Sequence, residues 1–399
     1  MRSMKLAIIS THPIQYNAPL FRLLHERGNI QVKVFYTWGE DVLKDKFDPG
    51  FGRTITWDIP LLEGYDSEFL RNDAKEPGSH HFYGISNPDL TSTIDQWGAD
   101  AILVYGWSFK SHLAVIRHYK GRIPVFFRGD STLLDEQTGI RKFLRRQWLS
   151  WVYRHIDIAF YVGTNNRSYF LAHGMREEQL VYAPHAIDND RFAAGGSHDQ
   201  SIEAWKHELG ILPTDFVLLF CGKFEKKKDP FFLVQLSKHL EQPNLRFLLV
   251  GNGELETELK SATQGDRRFI FLGFQNQKEM PLVYRMGDVF VLPSQGPNET
   301  WGLAINEAMA CGLPVMASDK VGGAIDLIED YQNGLVFRNN DHTSATKFIT
   351  WLLEKGDRVK VLGERSFNHV QNFSFSAIAD AVEHTCLARH DEARRNGKR

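Results

Sequence analysis

The sequence predicts an α/β protein built from two parallel-sheet units, and three features carry that prediction. Short apolar runs alternate with amphipathic stretches almost throughout, the pattern of strands joined by crossover helices. Most runs are continuously apolar, without a period of two, so their strands are covered on both faces. The length, 399 residues, is too great for one ordinary domain and comfortable for two.

In the first half the strand-like runs are Lys5–Ser10, Val32–Tyr36, Ala101–Tyr105, Pro124–Phe127 and Ile158–Val162. In the second half they are Val217–Phe220, Phe247–Val250, Ile270–Leu272, Val289–Leu292, Pro314–Met316 and Leu335–Phe337. Between about Ala183 and Leu212 the text turns polar and small (DNDRFAAGGSHDQS) before a new βα series begins. The first unit is therefore expected over 1–185 and the second over 186–373, with a cleft between their strand C-termini. Three helical stretches close the chain. The last, within 374–392, has no strand left to cover, and the final DEARRNGKR is expected to fray.

Apolar residues make up 42 % and charged residues 24 %, as in a soluble globular protein. Lys plus Arg number 47 against 49 Asp plus Glu, and a net charge of −2 gives no reason to expect nucleic acid. Cys221, Cys311 and Cys386 are scattered, without metal or redox spacing, and read as small core residues of a reducing compartment. Leu6–Ile9 is too short for a signal core, and no uncharged apolar run approaches the ~20 residues of a spanning helix. A cytoplasmic protein is expected.

The most informative stretch is PSQGPNETWGLAINEAMACGLPVMASD, which follows Val289–Leu292. A strand, a tight loop and a helix start make an anion site of backbone N–H groups and the positive end of the helix dipole. Glu299 and Glu307 flank it, eight residues apart. Carboxylates beside a phosphate are repelled by it unless they accept hydrogen bonds from hydroxyls, which a nucleotide-sugar offers at both ends. This segment resembles the Glu-x7-Glu signature of retaining glycosyltransferases with the GT-B fold, family 4 in particular. The resemblance implies two Rossmann-like parallel-sheet domains facing across a cleft, with the last helix crossing back onto the first. It places Glu299 at the donor sugar and Glu307 at the ribose, with the N–H groups of Trp301, Gly302 and Leu303 around the distal phosphate.

CGKFEKKKDP, from Cys221 to Pro230, resembles the family's Gly-Arg-Leu…Lys-Gly segment, whose two cations meet the donor diphosphate. Gly222 and Lys228 match. Lys223 stands where the family usually has Arg, losing a bidentate fork but keeping a point charge. Asp229 replaces the following glycine. LGFQNQKEMPLVYRMGDVFVLPS resembles the segment beside the nucleobase, which places the base at Gly273, Phe274 and Gln275. Backbone contact there does not choose the base; UDP is the family's commonest donor, with GDP close behind. VGGAIDLI carries Gly322-Gly323, for close approach to a ligand or for a turn. GNGELE lacks the third glycine of a dinucleotide fingerprint and is discounted.

On the first unit, THPIQYNAPLFRLL lacks the family's glycine pair, so His12, Gln15, Tyr16 and Asn17 are candidates to hold the acceptor. The alternative is a Pro-bounded loop capping a helix at Asn17. FFRGDS offers Arg128 for phosphate and Asp130 for a sugar hydroxyl or for Arg128; the histidine of the family's His-Asp pair is missing. YAPHAIDNDRF resembles the turn leading out of the first domain, with Pro184, Asp188 and Phe192 matching. Its Asp188-Asn189-Asp190 lies in a linker, and no metal is expected. The helix of residues 140–154 carries Arg141, Lys142, Arg145 and Arg146 beside a stripe of Ile140, Leu144, Trp148 and Val152. Either the stripe packs on the sheet, or the helix lies on an anionic membrane surface, which would hold the protein at the cytoplasmic membrane face.

The resemblance thus implies a metal-independent retaining glycosyltransferase. Its donor would be a nucleotide-sugar, UDP- ahead of GDP-, and its acceptor a glycan or lipid-linked glycan. Lys223, Lys228 and Glu299 form the catalytic set, and no residue offers itself as a covalent nucleophile. A nucleotide-sugar epimerase of the same fold and a non-catalytic donor-binding member are the alternatives, with a dehydrogenase the weakest.

Overall fold

The computed structural model describes residues 3–40, 46–48, 53–55, 57–136, 138–194 and 199–395. The chain forms two compact units. One comprises Met1–Lys46, Pro60–His185 and Phe375–Arg399; the other comprises Phe47–Ile59 and Ala186–Ser374.

The strands are β1 (Lys5–Ser10), β2 (Gln31–Tyr36), β3 (Lys46–Asp48), β4 (Arg53–Ile55), β5 (Ser67–Phe69), β6 (Ala101–Tyr105), β7 (Val125–Arg128), β8 (Ile158–Tyr161) and β9 (Leu180–Tyr182) in the first half. The second half adds β10 (Phe216–Cys221), β11 (Leu245–Val250), β12 (Phe269–Leu272), β13 (Val289–Leu292), β14 (Val315–Ser318) and β15 (Gly334–Phe337). Seven strands make the first sheet, in the order β5-β2-β1-β6-β7-β8-β9, and its pairings are parallel. Six make the second, in the order β12-β11-β10-β13-β14-β15, again parallel. β3 and β4 form a separate two-stranded sheet.

In the second sheet the chain leaves β10 in one direction for β11 and β12, and returns to the other side for β13. Adjacent strands whose connections diverge leave a crevice at their carboxyl ends, where open α/β sheets take ligands. The two tips concerned are those after Cys221 and Leu292. The first sheet has the same reversal between β1 and β6.

The central strands of each sheet are buried on both faces, as the continuous apolar runs require. Leu218, Phe220, Phe247, Leu249, Val289 and Val291 point into one core with helix side chains such as Phe232, Phe348 and Leu352. Ala7, Ile9, Ile102, Val104 and Phe127 do the same in the first unit. The helix Phe375–Arg395 packs on the helix Ala18–Arg27 of that unit. Arg27 reaches Asp380 at 2.6 Å and Glu383 at 3.1 Å, while Asn29 donates to Glu383 at 3.0 Å.

Three departures from the sequence reading have plain causes. β5 and β9 were not anticipated, because three-residue edge strands carry no readable apolar run. Residues 47–59, read with the first unit, cluster with the second, where the Lys278 N–H meets the Asp58 carboxylate at 3.2 and 3.3 Å. The last helix persists to Arg395, past the point where fraying was expected, and 396–399 lie outside the described residues. Among the described residues, no helix is long and apolar enough to cross a membrane.

Candidate functional site

Glycine geometry builds the tip of β10. A Cβ on Gly251 would lie 2.1 Å from the Gly222 carbonyl oxygen, and one on Gly253 would lie 2.5 Å from that of Phe224. The loop after β11 therefore presses against the backbone on either side of Lys223, an approach that only glycine allows. A short 3-10 turn, Lys226–Lys228, follows. Asp229 leaves it at φ 47, the left-handed region that explains why the resembling segment has glycine here; Asp is among the few side chains that tolerate it. Burial pushes the Asp229 carboxyl up to about 6.

That turn is fastened to the loop after β13. The Gln295 backbone N–H donates to the Lys227 carbonyl at 2.9 Å, and its side-chain amide donates to that of Lys226 at 2.6 Å. The fastening brings Lys228 Nζ to 2.6 Å from Glu299 Oε2, with Lys227 Nζ at 3.9 Å from the same oxygen. Glu299 is only 7 % exposed and accepts from Ser294 Oγ at 3.2 Å. A carboxylate so buried needs such partners to offset its lost hydration.

The loop from Glu299 to Leu303 is held from behind. Gly322 N–H donates to the Glu299 carbonyl and Gly323 N–H to that of Trp301, both at 2.9 Å. A Cβ on Gly323 would lie 2.8 Å from the Trp301 ring. The glycine pair thus serves a tight backbone turn against the site. The Trp301 indole N–H donates to Asn306 Oδ1 at 2.8 Å inside the core, so the Trp301 side chain is an anchor. Gly302, at φ 89, caps the helix Leu303–Ala310, whose first N–H groups have no carbonyl of their own helix to reach. One turn further on, buried Glu307 accepts from Tyr284 Oη at 2.7 Å. At the tip of β12, the Phe274 N–H donates to Asn252 Oδ1 at 2.8 Å, and Asn252 Nδ2 donates to Glu256 at 2.8 Å. Burial raises the Cys221 thiol well above its ordinary range, with Glu307 adding to the effect, so this thiol is held protonated beside the site.

Of the residues singled out in sequence, the structure brings Lys228, Glu299 and the Trp301–Leu303 turn together, with Glu307 on the same helix and Lys223 one residue beyond Gly222. Ser294, Tyr284 and Asn252 were missed. Asn252 sits in the very GNGELE stretch discounted as a dinucleotide motif, and it orients the tip of β12 instead.

On the first unit, Asn17 caps the helix Ala18–Arg27 with its backbone: its N–H donates to the Ile14 carbonyl at 3.1 Å and its carbonyl accepts from Phe21 at 3.0 Å. Gln15 and Tyr16 are half-buried just before it. Arg128, a candidate for phosphate in the sequence, has carbonyl partners within its own unit. It is 5 % exposed and donates at 2.8 Å to both the Ala183 and Pro184 carbonyls, so its guanidinium ties down the departing chain. Asp130 lies 3.7 Å from His185 Nε2, a His–Asp pair assembled from distant segments. Burial lowers the His185 pKa, against the pull of Asp130. In the linker, Asp188 accepts from the Arg191 N–H at 3.1 Å as a helix cap, while Asn189 donates to the Val370 and Phe373 carbonyls at 3.3 and 3.2 Å. The helix Ile140–Tyr153 turns Leu149, Val152 and Tyr153 inward. Of the predicted stripe only Val152 is therefore buried, and Ile140, Leu144 and Trp148 are exposed.

Residues 201–369 match the family described as glycosyl transferases group 1. Over that stretch, less than half of its length, the chain is similar to this family. The match takes in Lys223, Lys228, Glu299, Glu307 and the Trp301–Leu303 turn. A D-inositol 3-phosphate glycosyltransferase of Nocardia farcinica is 28 % identical over 222 residues, covering 53 % of this chain and 48 % of the relative. A UDP-Gal:alpha-D-GlcNAc-diphosphoundecaprenol alpha-1,3-galactosyltransferase of Escherichia coli is 32 % identical over 198 residues, 48 % of each chain. The chain spans about half the length of the curated relatives it matches. Among solved structures, Anabaena HepE in complex with UDP superposes with a TM-score of 0.72 at 17 % identity, over 97 % of this chain and 100 % of that one. A glycosyltransferase of Rickettsia africae gives 0.73 at 13 %, over 98 % and 99 %. The fold is GT-B.

Proposed function

We propose that the chain is a retaining glycosyltransferase. It moves a sugar from a nucleotide-sugar, UDP- ahead of GDP-, to a glycan or lipid-linked acceptor without a metal. The observation that carries this reading is the Lys228–Glu299 pair at the divergence of β10 and β13, beside a helix N-terminus. The E. coli relative is named for a UDP-sugar and HepE was solved in complex with UDP, which favours that base.

In this reading Lys223, Lys228 and the backbone N–H groups of Trp301, Gly302 and Leu303 stabilise the charge that develops on the departing diphosphate. Preorganised electrostatics of this kind is usually the largest catalytic contribution, and here it does the work often given to a metal. Glu299 orients the donor sugar, Glu307 holds the ribose hydroxyls, and the backbone at Gly273 and Phe274 lies along the base. The bond between the anomeric carbon and the phosphate oxygen breaks as the acceptor oxygen bonds to the same carbon. The acceptor's proton passes to the leaving phosphate oxygen on the same face, which retains the anomeric configuration. Gln15, Tyr16, Asn17 and Asp130 remain the acceptor-side candidates, with the reaction in the cytoplasm or at its membrane face.

A thermal-shift screen of UDP-, GDP-, ADP- and TDP-sugars tests the reading. A ligand at 100 times its dissociation constant stabilises by roughly 2.7 kcal/mol, an effect large enough to register. A shift with one base, followed by release of that nucleoside diphosphate with an acceptor mixture and EDTA, supports it. No shift with any donor, or an epimerised donor without transfer, contradicts it.

A further inference from the structure

The helix Ile140–Tyr153 is apolar on two opposite faces. Leu149, Val152 and Tyr153 are buried against the first unit, yet Ile140, Phe143, Leu144 and Trp148 are 71, 57, 60 and 46 % exposed. The four outward side chains fall at helical spacings of three, four and eight and so share one face. Trp148 stacks on Trp151 at 4.9 Å, which extends that face, and the Arg117 guanidinium lies 5.3 Å from the Trp151 ring. Other exposed large apolar side chains among the described residues stand singly along the chain.

The charge carried by the helix itself has one sign. From Ile140 to Arg154 there is no Asp or Glu, against Arg141, Lys142, Arg145, Arg146 and Arg154. Glu136 takes up two of these cations, at 2.8 Å from each of Arg146 and Lys142, and their bonds pull its carboxyl down to about 2. Arg141, Arg145 and Arg154 remain on the surface.

We infer that this face docks on an anionic phospholipid bilayer, with Ile140, Phe143, Leu144 and Trp148 entering the headgroup boundary and the arginines meeting lipid phosphates. Charge selects this occupant. A second copy, meeting the face through a two-fold axis, would set the same arginines against one another. The same helix also walls a cavity of about 460 Å³ within the first unit, at whose rim exposed Arg145 and Trp148 join a lining that includes Asp130 and Ser131 at the β7 tip and Trp107 and Ser108 after β6. Docking brings that cavity to the lipid surface, as the polar head of a lipid-borne acceptor requires. This last step rests on the glycosyl-transfer reading; the docking does not.

The test is co-sedimentation of the full chain, without donor, with phosphatidylcholine vesicles and with vesicles containing about one-third phosphatidylglycerol. Each surface arginine is worth about fivefold in partitioning, so three predict an anionic preference on the order of 10²-fold. The Ile140→Ser/Phe143→Ser/Leu144→Ser variant should bind anionic vesicles more than about tenfold more weakly. Its melting temperature and donor-induced thermal shift should match the parent, which separates lost docking from lost folding. Equal partitioning onto both vesicle types, an unimpaired triple variant, or a lipid-free dimer abolished by those substitutions would each overturn the inference. Vesicle binding in a chain that shows no donor shift would leave the docking standing and end the transfer reading alone.

Discussion

The Lys228 ammonium lies 2.6 Å from a Glu299 carboxylate that is almost wholly buried, and the two residues come from the tips of adjacent strands, β10 and β13. Such a pair holds each partner at a fixed place, and one carboxylate shared between Lys227 and Lys228 leaves one of these two cations in excess over Glu299. That surplus suits a diphosphate.

Lys228→Ala should cut turnover by ~10²–10³, the size of a lost donor to developing charge, with a smaller effect on donor affinity. Steady-state kinetics checks this. Unchanged turnover would put the lysine outside the reaction.

Glu307→Gln should weaken nucleotide binding by roughly tenfold, the loss of a hydrogen bond to a charged group, and leave the saturated rate nearly intact. Tyr284→Phe, which removes the 2.7 Å bond to Glu307, should move KM in the same direction by less. A fall in kcat with KM unchanged would reject the ribose assignment.

Arg128→Met should lower stability by roughly 3 kcal/mol, because two carbonyls of Ala183 and Pro184 lose their donor in a buried place. Donor affinity should stay the same. Weaker donor binding at unchanged stability, read from urea midpoints and calorimetry, would restore the phosphate role.

Asp229 gives a pH signature. Its carboxyl moves from an ordinary 3.8 up to about 6 by burial, so folding favours the protonated form. Its favourable contribution is complete below about pH 4 and is lost as pH rises through about 6. Asp229→Asn, which keeps a residue tolerant of left-handed φ, should gain stability over the parent at pH 7–8 and gain little at pH 4. Thermal melts across this range settle it; an equal difference at every pH contradicts the assignment.

Much of the fold was readable because β1, β6, β10 and β13 are continuous apolar runs between turn residues. Strand order was not, since no periodicity tells that β13 returns beside β10. Glu299 and Lys228 stood out only through local pattern, and their 2.6 Å approach depends on Gln295 clamping one loop to the other. The Arg128 contacts were not legible, because a lone arginine at a strand end does not reveal carbonyls 55 and 56 residues away. In the helix from Ile140 the sequence shows apolar side chains on two faces without saying which one turns inward.

The most direct test of the β10–β13 site compares, by calorimetry, the affinity of the nucleoside diphosphate selected in the thermal screen with that of its bare nucleoside. In the parent the diphosphate should bind at least ~10²-fold more tightly, given charged hydrogen bonds worth about 1.5–3 kcal/mol each, and Lys223→Ala/Lys228→Ala should collapse that ratio to within a few-fold. A ratio the same in both proteins would contradict the account.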